Sequence, residues 1–138
     1  MITELFTGTE AVSTTEWSMT TDTAGPDADT TDGNIQIVLD VSDMVAGDIL
    51  QIRLYEKCRS GDTQRLAQEW ILSGAQASPL WYSPLFMVMH GWDATLDALA
   101  GTITVLWSIR EHLPNANVQY VNDVAVTGDG QSGTEWGP

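Results

Sequence analysis

Along this chain, apolar residues recur at every second position in several separated runs. Ile35, Ile37, Leu39 and Val41 alternate with Gln36, Val38 and Asp40, and a period of two predicts a strand. Ile49 to Lys57 obeys the same rule, with Leu50, Ile52 and Leu54 on one face and Gln51, Arg53, Tyr55 and Lys57 on the other. Arg65 to Leu72 resumes it, placing Leu66, Gln68, Trp70 and Leu72 together. Ser60-Gly61-Asp62 lies between these two runs and favours a turn, so they are expected to form a hairpin. Thr102 to Glu111 is the cleanest run: Ile103, Val105, Trp107 and Ile109 oppose Thr102, Thr104, Ser108 and Arg110. Val118 to Thr127 alternates again after a turn at Pro114 to Asn117.

The segments between are less regular. Ser42 to Asp48 reads as a turn or half-turn of helix. Leu80 to His90 is rich in aromatics and Met and is interrupted by Pro84, which suggests an edge or a bulge. Its second part, Leu85 to His90, reads as a buried strand. Asp93 to Ala100 suits a short helix by propensity and an extended strand by context; the pattern leaves both open. Residues 1–34 hold ten Thr, seven acidic residues and no Lys or Arg. Thr favours extended backbone, so this part is expected to be an extended arm with one short strand around Ser13 to Thr20. Residues 22–34 are dense in Asp, Gly and Pro and read as a loop.

The whole comes to roughly six or seven strands, about 8 to 15 residues apart, which points to a mostly β fold: an antiparallel β-sandwich or jelly roll. The expected organisation is an acidic N-terminal arm and loop at 1–34, a β-sandwich domain at 35–127 and a Gly-rich C-terminal tail at 128–138.

Composition narrows the partners. Of 138 residues, 19 are acidic and 5 basic, giving a net charge of -14. Nucleic acid needs Lys and Arg to displace counterions, and anionic membranes need the same; neither is expected as a partner. Cys58 is the sole cysteine, so no disulfide can form within the chain. The start has neither the basic nor the apolar region of a signal peptide, and synthesis without export is expected.

Candidate chemistry is sparse. His90, His112 and Cys58 are not at metal-ligand or catalytic spacing. No cofactor, metal or catalytic residue is assigned, and an enzyme is not expected. Residues 27–34 (DADTTDGN) superficially suggest a calcium loop. Counted from Asp27, however, position six is Asp32 and position twelve is Val38, where an EF-hand needs Gly and Glu. An irregular, weak calcium site stays open beside the plain reading of an acidic loop. Arg53, Lys57, Arg59 and Arg65 cluster on the predicted hairpin with Glu56, Asp62 and Glu69. They form either a cross-strand charge ladder or an interaction patch for a carboxylate-bearing partner. Six Trp are present. Trp70 and Trp107 lie on apolar strand faces and read as core. Trp17 and Trp136 stand alone in polar segments and read as docking anchors.

The runs EAVSTTEWSMTTDTAGPDADTTDGNIQ, YEKCRSGDTQR, HGWD and WSIRE resemble a group of short proteins encoded among the head and structural genes of tailed phages. The ending VNDVAVTGDGQSGTEWGP is similar to a C-terminal signature of short phage and prophage proteins, with Asp123 where Gly is usual. The resemblance implies a virion role. It fits a capsid decoration or cement protein: a homotrimer on the outside of the shell that binds the major capsid protein. Expected partner contacts are Trp17, Arg53, Lys57, Arg59, Arg65 and Trp136. The competing expectations are a glycan- or receptor-binding module of a fibre, using Trp81, Tyr82 and Trp92, and a neck or tail-completion ring.

Overall fold

Alternation along the chain becomes two antiparallel sheets facing each other across one apolar layer. The computed structural model describes residues 1–113. The strand expected at 118–127, the turn before it, the tail at 128–138 and Trp136 lie outside the described residues. The described elements are β1 (Ile2–Val12), β2 (Trp17–Ser18), β3 (Thr23–Ala24), β4 (Gly33–Asp40), β5 (Ile49–Glu56), β6 (Arg65–Ser73), β7 (Leu80–Tyr82), β8 (Phe86–Val88), β9 (Asp93–Ala100) and β10 (Ile103–His112). The fold is mostly β, with the sandwich arrangement expected.

One sheet has the order β1-β10-β4, and both β7 and β8 pair with the far edge of β4. The other has the order β3-β2-β9-β5-β6. The facing layers are filled by the residues whose period of two announced them. Ile35, Ile37 and Leu39 of β4 meet Ile103, Val105, Trp107 and Ile109 of β10; opposite them lie Leu50, Ile52 and Leu54 of β5 and Ala94, Leu96 and Ala98 of β9. The expected hairpin is present: β5 pairs β6 from Ile49↔Ser73 to Glu56↔Arg65, with an irregularity at Leu54/Tyr55.

Two segments differ from expectation. Asp93 to Ala100 is a strand, flanked by β5 and β2. Its Ala and Leu residues favour a helix alone, but here Ala94, Leu96 and Ala98 are all buried. Burial on one face and pairing on both edges override the weak helical preference. The Thr-rich N-terminal segment is extended, but its first part is not a free arm. β1 pairs with β10 from Ile2↔His112 to Val12↔Ile103. A bulge between Glu4 and Phe6 switches the face that points inward, so that Leu5 and Phe6 both pack on the core. This hid the strand from a strict period of two. The short strand expected around 13–20 is reduced to Trp17–Ser18.

Gly8 permits a close approach between β1 and β10. It lies in register with Trp107, and a Cβ on Gly8 would overlap the Trp107 indole ring. That indole is buried and donates from Nε1 to the Met19 carbonyl at 3.0 Å, tying β10 to the segment after β2.

The loop from Met19 to Asp32 is held by Gly91-Trp92-Asp93. Trp92 is fully buried, and its Nε1 donates to the Thr31 carbonyl at 2.7 Å. Its backbone exchanges hydrogen bonds with Asp29. The Asp93 carboxyl, also fully buried, accepts from Ser18 Oγ at 3.0 Å, Thr20 Oγ1 at 2.7 Å, Asp27 N at 2.7 Å and Ala94 N at 2.9 Å. Gln64 Nε2 spans the Asp27 and Gly91 carbonyls at 2.6 and 2.8 Å, joining the β5–β6 loop to the same knot.

Asp93→Ala leaves the Ser18, Thr20 and Asp27 donors without an acceptor. It is expected to lower stability by about 3–5 kcal/mol in urea unfolding and to speed amide exchange across residues 18–31. Gly8→Ala is expected to lose about 1–3 kcal/mol by overpacking against Trp107, read from the denaturation midpoint, while Thr9→Ala beside it leaves that midpoint nearly unchanged.

Candidate functional site

Three surfaces hold the candidate residues. The first is the outer face of the β2-β9-β5-β6 sheet. Arg53 is central there. Its Nε donates to Glu69 Oε2 at 2.9 Å, and its Nη1 lies 3.7 Å from Glu16 Oε1 and 3.4 Å from the Tyr55 hydroxyl. Glu16 Oε2 also accepts from Tyr55 and from Thr95 Oγ1, each at 2.5 Å. The Glu69 hydrogen bond, helped by Tyr55, raises the Arg53 pKa still further. Burial, then the bond to Glu16, pushes the Tyr55 phenol up. Three carboxyls, Glu16, Glu69 and Asp97, thus surround one guanidinium. Arg53, an expected partner contact, is paired within its own sheet, the arrangement that the charge-ladder alternative describes.

The second surface is the loop end of the β5–β6 hairpin. Lys57, Arg59 and Arg65 are here, separated from Arg53. Arg59 is 82% exposed along its side chain and makes a forked pair with Asp62 at 3.0 and 3.1 Å. Arg65 is exposed at the start of edge strand β6. The Lys57 stem lies against Gly91, and its backbone N donates to the His90 carbonyl at 3.0 Å. Lys57, His90 and Asp32 line one shallow cleft; Cys58, Arg59 and Arg65 line another. The Cys58 thiol is exposed, because the strand stops at Glu56 and Cys58 falls in the loop.

The tryptophans are mostly structural. Trp17, the expected anchor, is half-buried against its own core, and its Nε1 donates to Asp22 Oδ1 at 2.9 Å. Trp107 is core, and Trp70 packs on the core's edge in contact with Trp81, their ring centroids 5.4 Å apart. With Trp92 buried and Trp81 half-covered, only Tyr82 of the glycan trio is exposed, at 51%. In the candidate calcium loop, Asp27 Oδ2 accepts from Thr21 and Thr23, and Asp29 Oδ1 accepts from Thr31 N at 2.8 Å. Among the described residues, no group of three or more His, Cys, Asp or Glu is placed to hold a metal ion.

The third surface was missed by sequence reading. β8 was expected to be buried. It is an edge strand whose Phe86 and Val88 face inward, while Leu85, Met87 and Met89 around it are 56%, 84% and 55% exposed. Ile2 shares a cleft with Leu85, and Leu113 shares an adjoining one with Met87 and Met89. Leu80 and Tyr82 on β7 continue the exposed apolar edge. The signal in the sequence was Pro84, which excludes a central strand, and the alternation of Leu85, Met87 and Met89 beyond it.

Arg53→Ala removes the only cation from the outer-face cluster. It is expected to lower stability by about 1–2 kcal/mol, less than a fully buried pair because the groups are partly exposed, as measured by urea unfolding. The same variant moves the Asp97 carboxyl further above its ordinary 3.8, since Arg53 is the neighbour that lowers it; carbon-detected NMR titration checks this. No protein-family model, curated protein or solved structure matches the chain.

Proposed function

We propose that the protein is a capsid decoration (cement) protein of a tailed phage, which seats as a homotrimer on the outside of the shell, binds the major capsid protein and stabilises contacts between capsomers. The observation that carries this reading is a set of exposed apolar side chains, Ile2, Leu85, Met87, Met89 and Leu113, around two adjoining clefts at one end of the β1-β10-β4-β8 sheet. In a chain of net charge -14, apolar side chains gathered at one end of a sheet support a surface covered by another protein. Met adapts its shape to the surface it meets. The resemblance of the residue runs to phage structural proteins supports the identity of the partner. A rigid sandwich repeated over a shell suits this role, because several modest contacts sum through effective concentration. Arg65 and Lys57 at the hairpin end are the basic contacts this reading retains.

Cryo-electron microscopy of purified particles, with mass spectrometry for the chain, tests the proposal. Trimeric density on the outer shell supports it. Presence only on a fibre or at the neck overturns it in favour of the glycan-binding or ring alternatives. Met87→Glu places a charge at the most exposed apolar position and is expected to reduce shell occupancy about tenfold or more. Folding stability should stay within about 0.5 kcal/mol of the parent, because the side chain touches little of its own fold.

A further inference from the structure

On the outer face of the β9–β5 pair, Gln51 and Asp97 are direct cross-strand partners. Such partners hold their Cβ atoms about 4.5–5.5 Å apart. Gln51 is 95% buried, being 5% exposed. Its Nε2 donates to Glu69 Oε2 at 2.7 Å, which fixes the amide: turned over, its carbonyl would meet a carboxylate. Among the described residues, Gln51 Oε1 is left buried with no donor, and so is Asp97 Oδ1. Two buried acceptors therefore stand side by side, each lacking the same thing. Of the donors around them, Arg53 Nε is engaged with Glu69, and Tyr55 and Thr95 with Glu16.

We propose that Asp97 keeps a proton in the folded chain at pH values where exposed carboxyls are ionised, and donates it from Oδ1 to Gln51 Oε1, making the β9–β5 seam an acid-strengthened lock. One O–H group satisfies both orphan acceptors at once, whereas ionisation leaves both unmet. The charges facing Asp97 are of both signs, Arg53 favouring ionisation and two carboxylates opposing it. Glu16 beside β2 and Glu69 on β6 oppose a third negative charge, and Arg53 on β5 is shared between them. Burial is the largest cause raising the Asp97 carboxyl above 3.8, and Arg53 the only one lowering it. Tyr55 on β5 stays neutral, its phenol pushed up by burial. Asp93, further along β9, is also raised by burial but has four donors of its own, so it does not compete for this proton.

The linkage has a definite sign. A carboxyl raised in the folded state binds its proton more tightly there than in the unfolded chain. Its contribution to stability is complete below the unfolded value and is lost as pH rises through the folded one. Asp97→Asn places an amide N–H where the proton would be, at every pH.

The experiment is a carbon-detected NMR titration of the Asp97 carboxyl in the free chain, paired with urea unfolding of the parent, Asp97→Asn and Gln51→Met across the same pH range. The expected results are an Asp97 midpoint above the ordinary carboxylate range and a fall of that midpoint in Gln51→Met. Asp97→Asn should lose the parent's pH dependence in that window and gain about five- to tenfold in folding constant at neutral pH. An Asp97 midpoint at or below 3.8 overturns the proposal, as does an Asp97→Asn variant less stable than the parent at neutral pH. Should Gln51→Met fail to fold, Asp97→Asn and the direct titration decide the matter. Neither needs a partner or a particle, so failure here is separate from failure of the docking reading.

Discussion

The buried carboxyl of Asp93 is where three parts of the chain become one. It sits at the start of β9, fully enclosed, and collects donors from Ser18, Thr20 and Asp27 as well as its own neighbour Ala94. A polar group in that position is tolerable only because it is fully hydrogen-bonded. The constraint therefore runs both ways: the loop needs the carboxyl to hold its irregular backbone, and the carboxyl needs the loop to replace water. Trp92 beside it seals the same junction, with an apolar body against Phe6, centroids 6.1 Å apart, and a polar tip on Thr31. The HGWD run is thus a structural knot, and His90 enters it through its backbone carbonyl.

With the core closed in this way, the two sheets turn different faces outward. The β9–β5–β6 side carries an ion-pair and hydrogen-bond network in which Arg53 is shared between Glu69 and Glu16. The β4–β8 edge carries exposed Leu and Met with few polar groups between them. Burying partly exposed apolar area drives association more reliably than rearranging charges that are already paired. That contrast is the reason the proposed docking surface is the Met-rich one.

The basic cluster shows how far sequence proximity misleads. Arg53, Lys57, Arg59 and Arg65 span few residues, yet the hairpin divides them. Arg53 lies within β5, where its outward side chain reaches Glu69 on β6 and Glu16 before β2. Lys57 and Arg59 lie beyond the strand's end. Only the Arg53–Glu69 pairing was legible from the sequence, as a cross-strand ladder. The approach of Glu16 depended on β2 lying beside β9, which no local pattern encodes.

The sequence by itself determined the strands with unbroken alternation: β4, β5, β6 and β10, the hairpin joining the middle two, and the inward faces of Ile37, Ile52, Val105 and Trp107. Alternation is enough there because a strand buried on one face must place every second side chain in the core. The tertiary structure alone decided β1, β9 and the exposed edge at β8. A bulge reset the inward face of β1. Pairing on both sides made a strand of the helix-favouring residues at Asp93 to Ala100. Whether Met87 or its neighbours Phe86 and Val88 turned to the core depended on the register of β8 against β4. Each of these rests on a neighbour distant in sequence, and the physical reason is common to all: local propensity is worth tenths of a kcal/mol per residue, roughly, and burial and pairing outweigh it.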